Sequence, residues 1–152
     1  MHSLGHAAAL IALTALIPAV AGATDEQVQT MPDQLQWSPA PPVLPRGAEM
    51  AVLSGDPAKS GPYVMRVRMP DGYRVPPHWH SQPENLSVLS GTYCMGMGDR
   101  ENREAVTRLG PGGFAMMPDR MRHFGWCEGG CMVQIHGAGP FDMQYVNPVD
   151  NP

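Results

Sequence analysis

From Glu49 onward, apolar and polar residues alternate in short runs broken by Gly, Pro, Asp and Ser, and no stretch sustains a 3.6-residue period. Tyr63–Met69 is the clearest run: Tyr63, Met65, Val67 and Met69 fall on one face, Arg66 and Arg68 on the other, the pattern of a half-buried strand. Shorter runs predict strands at Ala51–Ser54, Asn85–Leu89, Thr92–Met97, Ala105–Leu109, Phe114–Met117, Arg122–Cys127, Met132–His136 and Phe141–Val146. Pro70-Asp71-Gly72 and Gly110-Pro111-Gly112-Gly113 read as turns, and Asp99–Glu104 as a charged, exposed loop. The expectation is an all-β chain with one core.

Two registers decide which side chains face inward. If Ser90-Gly91 is a two-residue hairpin turn, Val88 opposes Tyr93, Leu86 opposes Met95 and Glu84 opposes Met97. Tyr93, Met95 and Met97 then line the interior and Cys94 looks outward. Glu128-Gly129-Gly130-Cys131 can close in two ways. With Gly129-Gly130 as a two-residue turn, His123 opposes His136 and Gly125 opposes Gln134, so Gln134 and His136 share the interior with His123. With a three-residue loop, Cys127 opposes Cys131 as a plausible disulfide, Ile135 opposes His123, and His136 faces out. Gly-Gly favours the two-residue turn, which leaves Cys127 and Cys131 unbridged.

The N-terminal third has a different composition. Ala7 to Ala21 is an apolar run short for a bilayer span, and it ends in Ala21-Gly22-Ala23, a small-x-small cleavage pattern. Residues 1–23 therefore read as a signal peptide, although the run is preceded by His2 and His6 rather than Lys or Arg. A periplasmic or secreted protein, with no membrane association after processing, is the expectation. Residues 24–45 form a proline-rich arm; Trp37 to Pro45 suits neither a helix nor a central strand and should run extended. The arm lies on its own barrel or crosses, with Trp37 as anchor, to a second subunit in a homodimer. Residues 46–148 are the domain and 149–152 a short tail. A net charge of −4 and a single lysine, Lys59, argue against a nucleic-acid partner.

The chemistry concentrates in His78-Trp79-His80-Ser81-Gln82-Pro83-Glu84. His78 and His80 share a face of an extended strand, and Glu84 returns toward them after the turn containing Pro83. Two imidazoles and a carboxylate converging on one point suit a divalent transition metal. The framing is specific: the stretch reads Gly72-x5-His78-x-His80-x3-Glu84-x6-Gly91, followed by Gly112-x5-Pro118-x-Arg120-x2-His123-x3-Cys127. These two blocks resemble the paired motifs of the cupin superfamily over roughly residues 46–148, with Arg120 standing where glycine is usual and Cys127 where asparagine is usual. The resemblance implies a single-domain double-stranded β-helix, a jelly-roll barrel. It also implies one metal held by His78, His80, Glu84 and His123.

Such a site leaves positions open for a small-molecule substrate or oxygen. Neutral imidazoles and a carboxylate suit Fe(II), Mn, Ni, Zn or Co, with Fe(II) favoured by the resemblance. Tyr93 and His136 are the candidate proton-handling residues, and Met95, Met97 and Gln134 the candidate pocket lining. The function expected is a metal enzyme on a small organic molecule, most simply an Fe(II)-type dioxygenase. The alternatives are a redox-neutral lyase or isomerase and a non-catalytic binding or sensor module.

Overall fold

The computed structural model describes residues 27–152. The expected signal peptide, residues 1–23, lies outside them. Nine strands form one connected, curled sheet: β1 (Ser38–Pro39), β2 (Glu49–Ser54), β3 (Gly61–Met69), β4 (Arg74–Trp79), β5 (Glu84–Met97), β6 (Val106–Leu109), β7 (Phe114–Met117), β8 (His123–Gly139) and β9 (Gln144–Tyr145). The described residues contain no α-helix, only 3-10 turns at Pro32–Gln34 and Pro148–Asp150. Among them no helix is long and apolar enough to cross a membrane.

Two long antiparallel strands, β5 and β8, organise the barrel. Their Glu84–Ser90 and Cys131–Gly139 portions pair in one half of the sheet, which β3, β2 and β1 extend on one side and β7 on the other. Their Thr92–Met97 and His123–Glu128 portions pair in the other half, flanked by β4 and β9 on one side and β6 on the other. The halves fold over one another. Val67, Leu86 and Val133 of the first share a single buried cluster with Val75, Tyr93 and Cys127 of the second. The alternation in β3 is as expected, with Tyr63, Met65, Val67 and Met69 all buried.

Both expected hairpin turns are instead corners within continuous strands. Gly91 has φ of 72°, and a Cβ there would lie 2.0 Å from the carbonyl oxygen of Gly130, so only glycine lets the two corners nest. Gly129 and Gly130, at φ 70° and 75°, form a two-residue bulge in β8. The Gly129 N–H donates to Asp71 Oδ1 at 2.7 Å, which ties the bulge to the turn before β4. Neither hairpin register applies, and the inward parity follows the bulge. Cys131, Val133 and Ile135 point into the barrel, while Met132, Gln134 and His136 point away from it.

The bulge corrects several expectations. The Cα atoms of Cys127 and Cys131 stand 5.6 Å apart on the interior face, and the two residues are disulfide-bonded. Cys94 does lie on the face opposite Tyr93 and Met95, but it is covered there by Phe124 and Trp126 and fully buried. The proline-rich arm packs on its own barrel: Ser38-Pro39 pairs with Glu49-Met50 of β2, and the Arg68 guanidinium sits 4.4 Å from the centre of the Trp37 ring. Leu44, from the same arm, is buried among the core residues.

Candidate metal centre

β4 is an unusual strand, with Pro76 and Pro77 in its middle and a register shift between Val75 and His78. The shift re-aims the end of the strand, so that His78 pairs directly with His123 of β8. Their rings lie 4.2 Å apart between centroids, and His80 closes the triangle at 4.9 Å from His78 and 5.2 Å from His123. Glu84, the first residue of β5, enters from the opposite half of the sheet. Its Oε2 is 3.4 Å from the Nε2 atoms of both His80 and His123. All four residues are buried, from 1% to 5% exposed.

The backbone sets the tautomer of each imidazole. The Nδ1 atoms of His78, His80 and His123 lie 2.7, 2.5 and 2.9 Å from the carbonyl oxygens of Pro76, Asp142 and Met121. A carbonyl only accepts, so each Nδ1 carries the hydrogen and donates it. In the neutral ring each Nε2 then presents a lone pair to the common centre. The possible ligand atoms of the three histidines lie within 4.8 Å of one another. His80 Nε2 is buried with no hydrogen-bond partner, an orphan that a native interior does not ordinarily tolerate. A metal ion would satisfy it. Three nitrogen lone pairs and one carboxylate make a donor set suited to a divalent transition metal, so the residues present fit the group.

The electrostatics point the same way. Burial, and then the charge that His123 and His80 can carry, push His78 from its ordinary 6.5 down to about 3. Burial also works to lower His80, but the adjacent Glu84 carboxylate outweighs it and the net direction is up. Burial alone would raise Glu84, yet His123 and His80 beside it hold its carboxyl well below the usual range. An ionised carboxylate thus sits buried beside His80 and His123 and favours positive charge at the point where their Nε2 atoms meet.

The centre lies at the wall of a cavity lined chiefly by Val67, Met69, Val75, Leu86 and Ile135, of which about 30 Å³ is open to the centres of water molecules. That is room for about two waters. Tyr93 lines this cavity, and burial, with the Glu84 charge added, holds its hydroxyl proton more tightly than usual.

The other candidate residues fall elsewhere. His136 and Gln134 are on the outer face: Gln134 Oε1 accepts from Arg66 Nε at 3.2 Å, and His136 sits opposite Val64 in the sheet. Met97 is 53% exposed, because β5 is a through-strand whose last residue reaches the barrel rim. Met95 is buried in the core but lines a separate surface cleft with Met97 and Phe114 rather than the histidine cavity. Sequence reasoning missed Leu44, Phe141, Asp142 and Met143. The last three belong to the segment after β8, where Phe141 and Met143 line the cavity and the Asp142 carbonyl accepts from His80. The expected strand Phe141–Val146 forms only at Gln144–Tyr145 (β9), and residues 141–143 run irregularly past the cavity, so period-two reasoning could not say which of their side chains face it.

A curled β-barrel of two facing halves, with three inward histidines and a glutamate at one wall, defines the class: a cupin. The model of the ChrR cupin-like domain family matches residues 25–141, and the chain belongs to that family. A search by sequence finds no significant match among curated proteins. Similar solved structures share the fold. The polyketide cyclase RemF of Streptomyces resistomycificus superposes with a TM-score of 0.66 at 13% identity, covering 84% of this chain and 90% of that one. A proposed acetylacetone dioxygenase of Methylibium petroleiphilum gives 0.64 at 18% identity over 86% and 88%. The Rhodobacter sphaeroides complex of SigE with the anti-sigma factor ChrR gives 0.53 at 19% identity over 70% and 51%.

Proposed function

We propose that the protein is a metal-dependent enzyme acting on a small organic molecule, with an Fe(II)-type dioxygenase as the leading form. One observation carries this reading: three oriented Nε2 lone pairs and an ionised carboxylate meet at the wall of an apolar cavity. Bound there, a divalent iron would supply Lewis acidity and a site for oxygen. The chain's own part is to hold His78, His80 and His123 by their Nδ1 atoms, to provide negative charge through Glu84, and to exclude bulk water with the aliphatic wall. Tyr93, whose proton is tightly held, is a hydrogen-bond donor to a substrate oxygen. The fold shared with the proposed acetylacetone dioxygenase supports the reading.

The test is anaerobic reconstitution with Fe(II), Mn, Ni, Co or Zn in turn, followed by oxygen-electrode assays on small 1,3-dicarbonyl and enol compounds. Oxygen uptake matched to substrate loss, and absent from a His78→Ala/His123→Ala variant, is the expected result. Substrate loss without oxygen uptake would move the assignment to a lyase or isomerase, with Tyr93 as the proton-handling group. A second reading, a non-catalytic metal-holding sensor, is favoured by the family match to a domain named for ChrR. It predicts metal binding with no turnover of any compound.

A further inference from the structure

Phe141 lines three separate cavities among the described residues. One is the histidine cavity. The second is a narrow crevice that reaches the far side of His80 and Glu84 past Tyr63 and Pro83. The third is an open surface groove of about 300 Å³, lined by Pro41, Val43, Met50, Val52, Pro57 and Phe141. Its nearest ionised group, Asp56, is occupied by Lys59 at 2.9 Å. The inner cavity and the outer groove share no other side chain, so the Phe141 ring is the partition between them.

The way Phe141 is held suits a partition that moves. Its N–H donates to the Pro57 carbonyl at 2.7 Å. The next residue is tied down as well, because Asp142 Oδ1 accepts from the Ser81 N–H and hydroxyl, each at 2.9 Å. The backbone is therefore anchored on both sides. The half-buried ring packs at the edge of the core, 5.3 Å from the His80 ring and 6.2 Å, edge-on, from Tyr63, and no hydrogen bond holds it. A rotamer change at Phe141 would join the two spaces and leave the backbone, with the Asp142 carbonyl that orients His80, tied in place.

We infer that the groove is the binding subsite for the apolar body of the substrate. On this inference, which rests on the metal-centre reading above, the substrate has a small oxygen-bearing head and an unbranched or flat apolar tail. The head fits the inner space, which holds little more than two waters, and the tail passes Phe141 to lie along Val43, Met50 and Val52. The apolar lining favours an uncharged tail.

Straight-chain carboxylates from acetate to hexanoate, titrated into the Co(II)-loaded protein, test this. The visible spectrum reports the head at the metal, and calorimetry gives the affinity. The Kd should fall about three- to fourfold for each added methylene, the ratio expected for burying one CH2. In Val52→Asp, on an exposed part of β2, that gain should vanish while acetate binds within twofold of the parent, which also verifies folding. In Phe141→Ala, hexanoate should bind faster, by tenfold or more. A flat series with acetate still perturbing the cobalt spectrum, or a gain that survives Val52→Asp, overturns the groove alone. No spectral change with any carboxylate overturns both the groove and the metal-centre reading beneath it.

Discussion

Lowering the pH on the metal-free protein should expose the cost of keeping His78 neutral. Its folded pKa is depressed from 6.5 to about 3, by burial first and by its histidine neighbours second. The unfolded chain takes up a proton near 6.5 that the folded chain refuses until about 3, so stability falls as pH falls through that interval. The slope is a little over 1 kcal/mol per pH unit. His80 moves the other way: its raised pKa gives a contribution present below 6.5 and lost as pH rises through its folded value. Between about 6.5 and 4.5 His80 is thus protonated in both states and contributes no slope. Glu84, whose carboxyl is depressed, adds its loss only as pH falls below its ordinary 4.5.

Across the window from pH 6.5 to 4.5 the loss due to His78 is roughly 3 kcal/mol. That is a large share of the 5–15 kcal/mol typical of a domain. Urea unfolding of chelator-treated protein at half-unit intervals measures it. The same series on His78→Gln, which cannot titrate, should be nearly flat across the window. Equal slopes in the two proteins would refute the reasoning, because the penalty would then belong to other groups. The functional corollary is that at neutral pH His78 has no proton to surrender, so a metal competes for its lone pair unopposed.

Four further outcomes are expected. Elemental analysis of His78→Ala/His123→Ala should find no stoichiometric metal, against one equivalent in the reconstituted parent. Non-reducing peptide mapping should recover a Cys127–Cys131 crosslink, and Cys127→Ala/Cys131→Ala should cost about 2 kcal/mol in denaturant unfolding, a modest figure because the closed loop is short. His136→Ala, on the outer face, should leave metal content unchanged and turnover within about twofold. Arg120→Gly should raise the melting temperature by about 1–3 °C. Arg120 sits at φ 59°, where a Cβ costs roughly 1 kcal/mol, part of which glycine returns as unfolded-state entropy.

Much of the fold was legible because period-two patterning has one interpretation. The inward face of β3 follows from its alternation, as does the burial of Leu86 and Val88 beside Glu84. The spacing of His78, His80 and Glu84 told which side chains meet because they share one strand–turn–strand unit. His123 entered through its motif and not through any local pattern. Illegible were the corners. Gly129-Gly130 with two positive φ values can end a hairpin or kink a strand, and the same dipeptide serves both. The choice was made by partners far away in the chain, Asp71 capping the bulge and Gly91 nesting against Gly130. The inward parity of the 131–139 segment depended on that choice, so His136, Gln134 and the disulfide were misjudged together.

Arg120 shows how a departure from the expected motif can be physically informative. Its place in the turn before β8 requires a left-handed backbone, which explains why glycine is usual there. The turn is kept nonetheless, because the Arg120 N–H donates to the His80 carbonyl at 2.8 Å. His80 is thereby held from two sides, its carbonyl by Arg120 and its Nδ1 by the carbonyl of Asp142, whose carboxylate grips Ser81. His78 and His123, by contrast, each bond a carbonyl two residues back on the same chain segment. The orientation of His80 therefore depends on two distant segments packing correctly. Disturbing either one should loosen His80 before the other two ligands. It is the same segment, 140–143, that carries the Phe141 partition, so access to the cavity and orientation of His80 are set by adjacent residues of one loop.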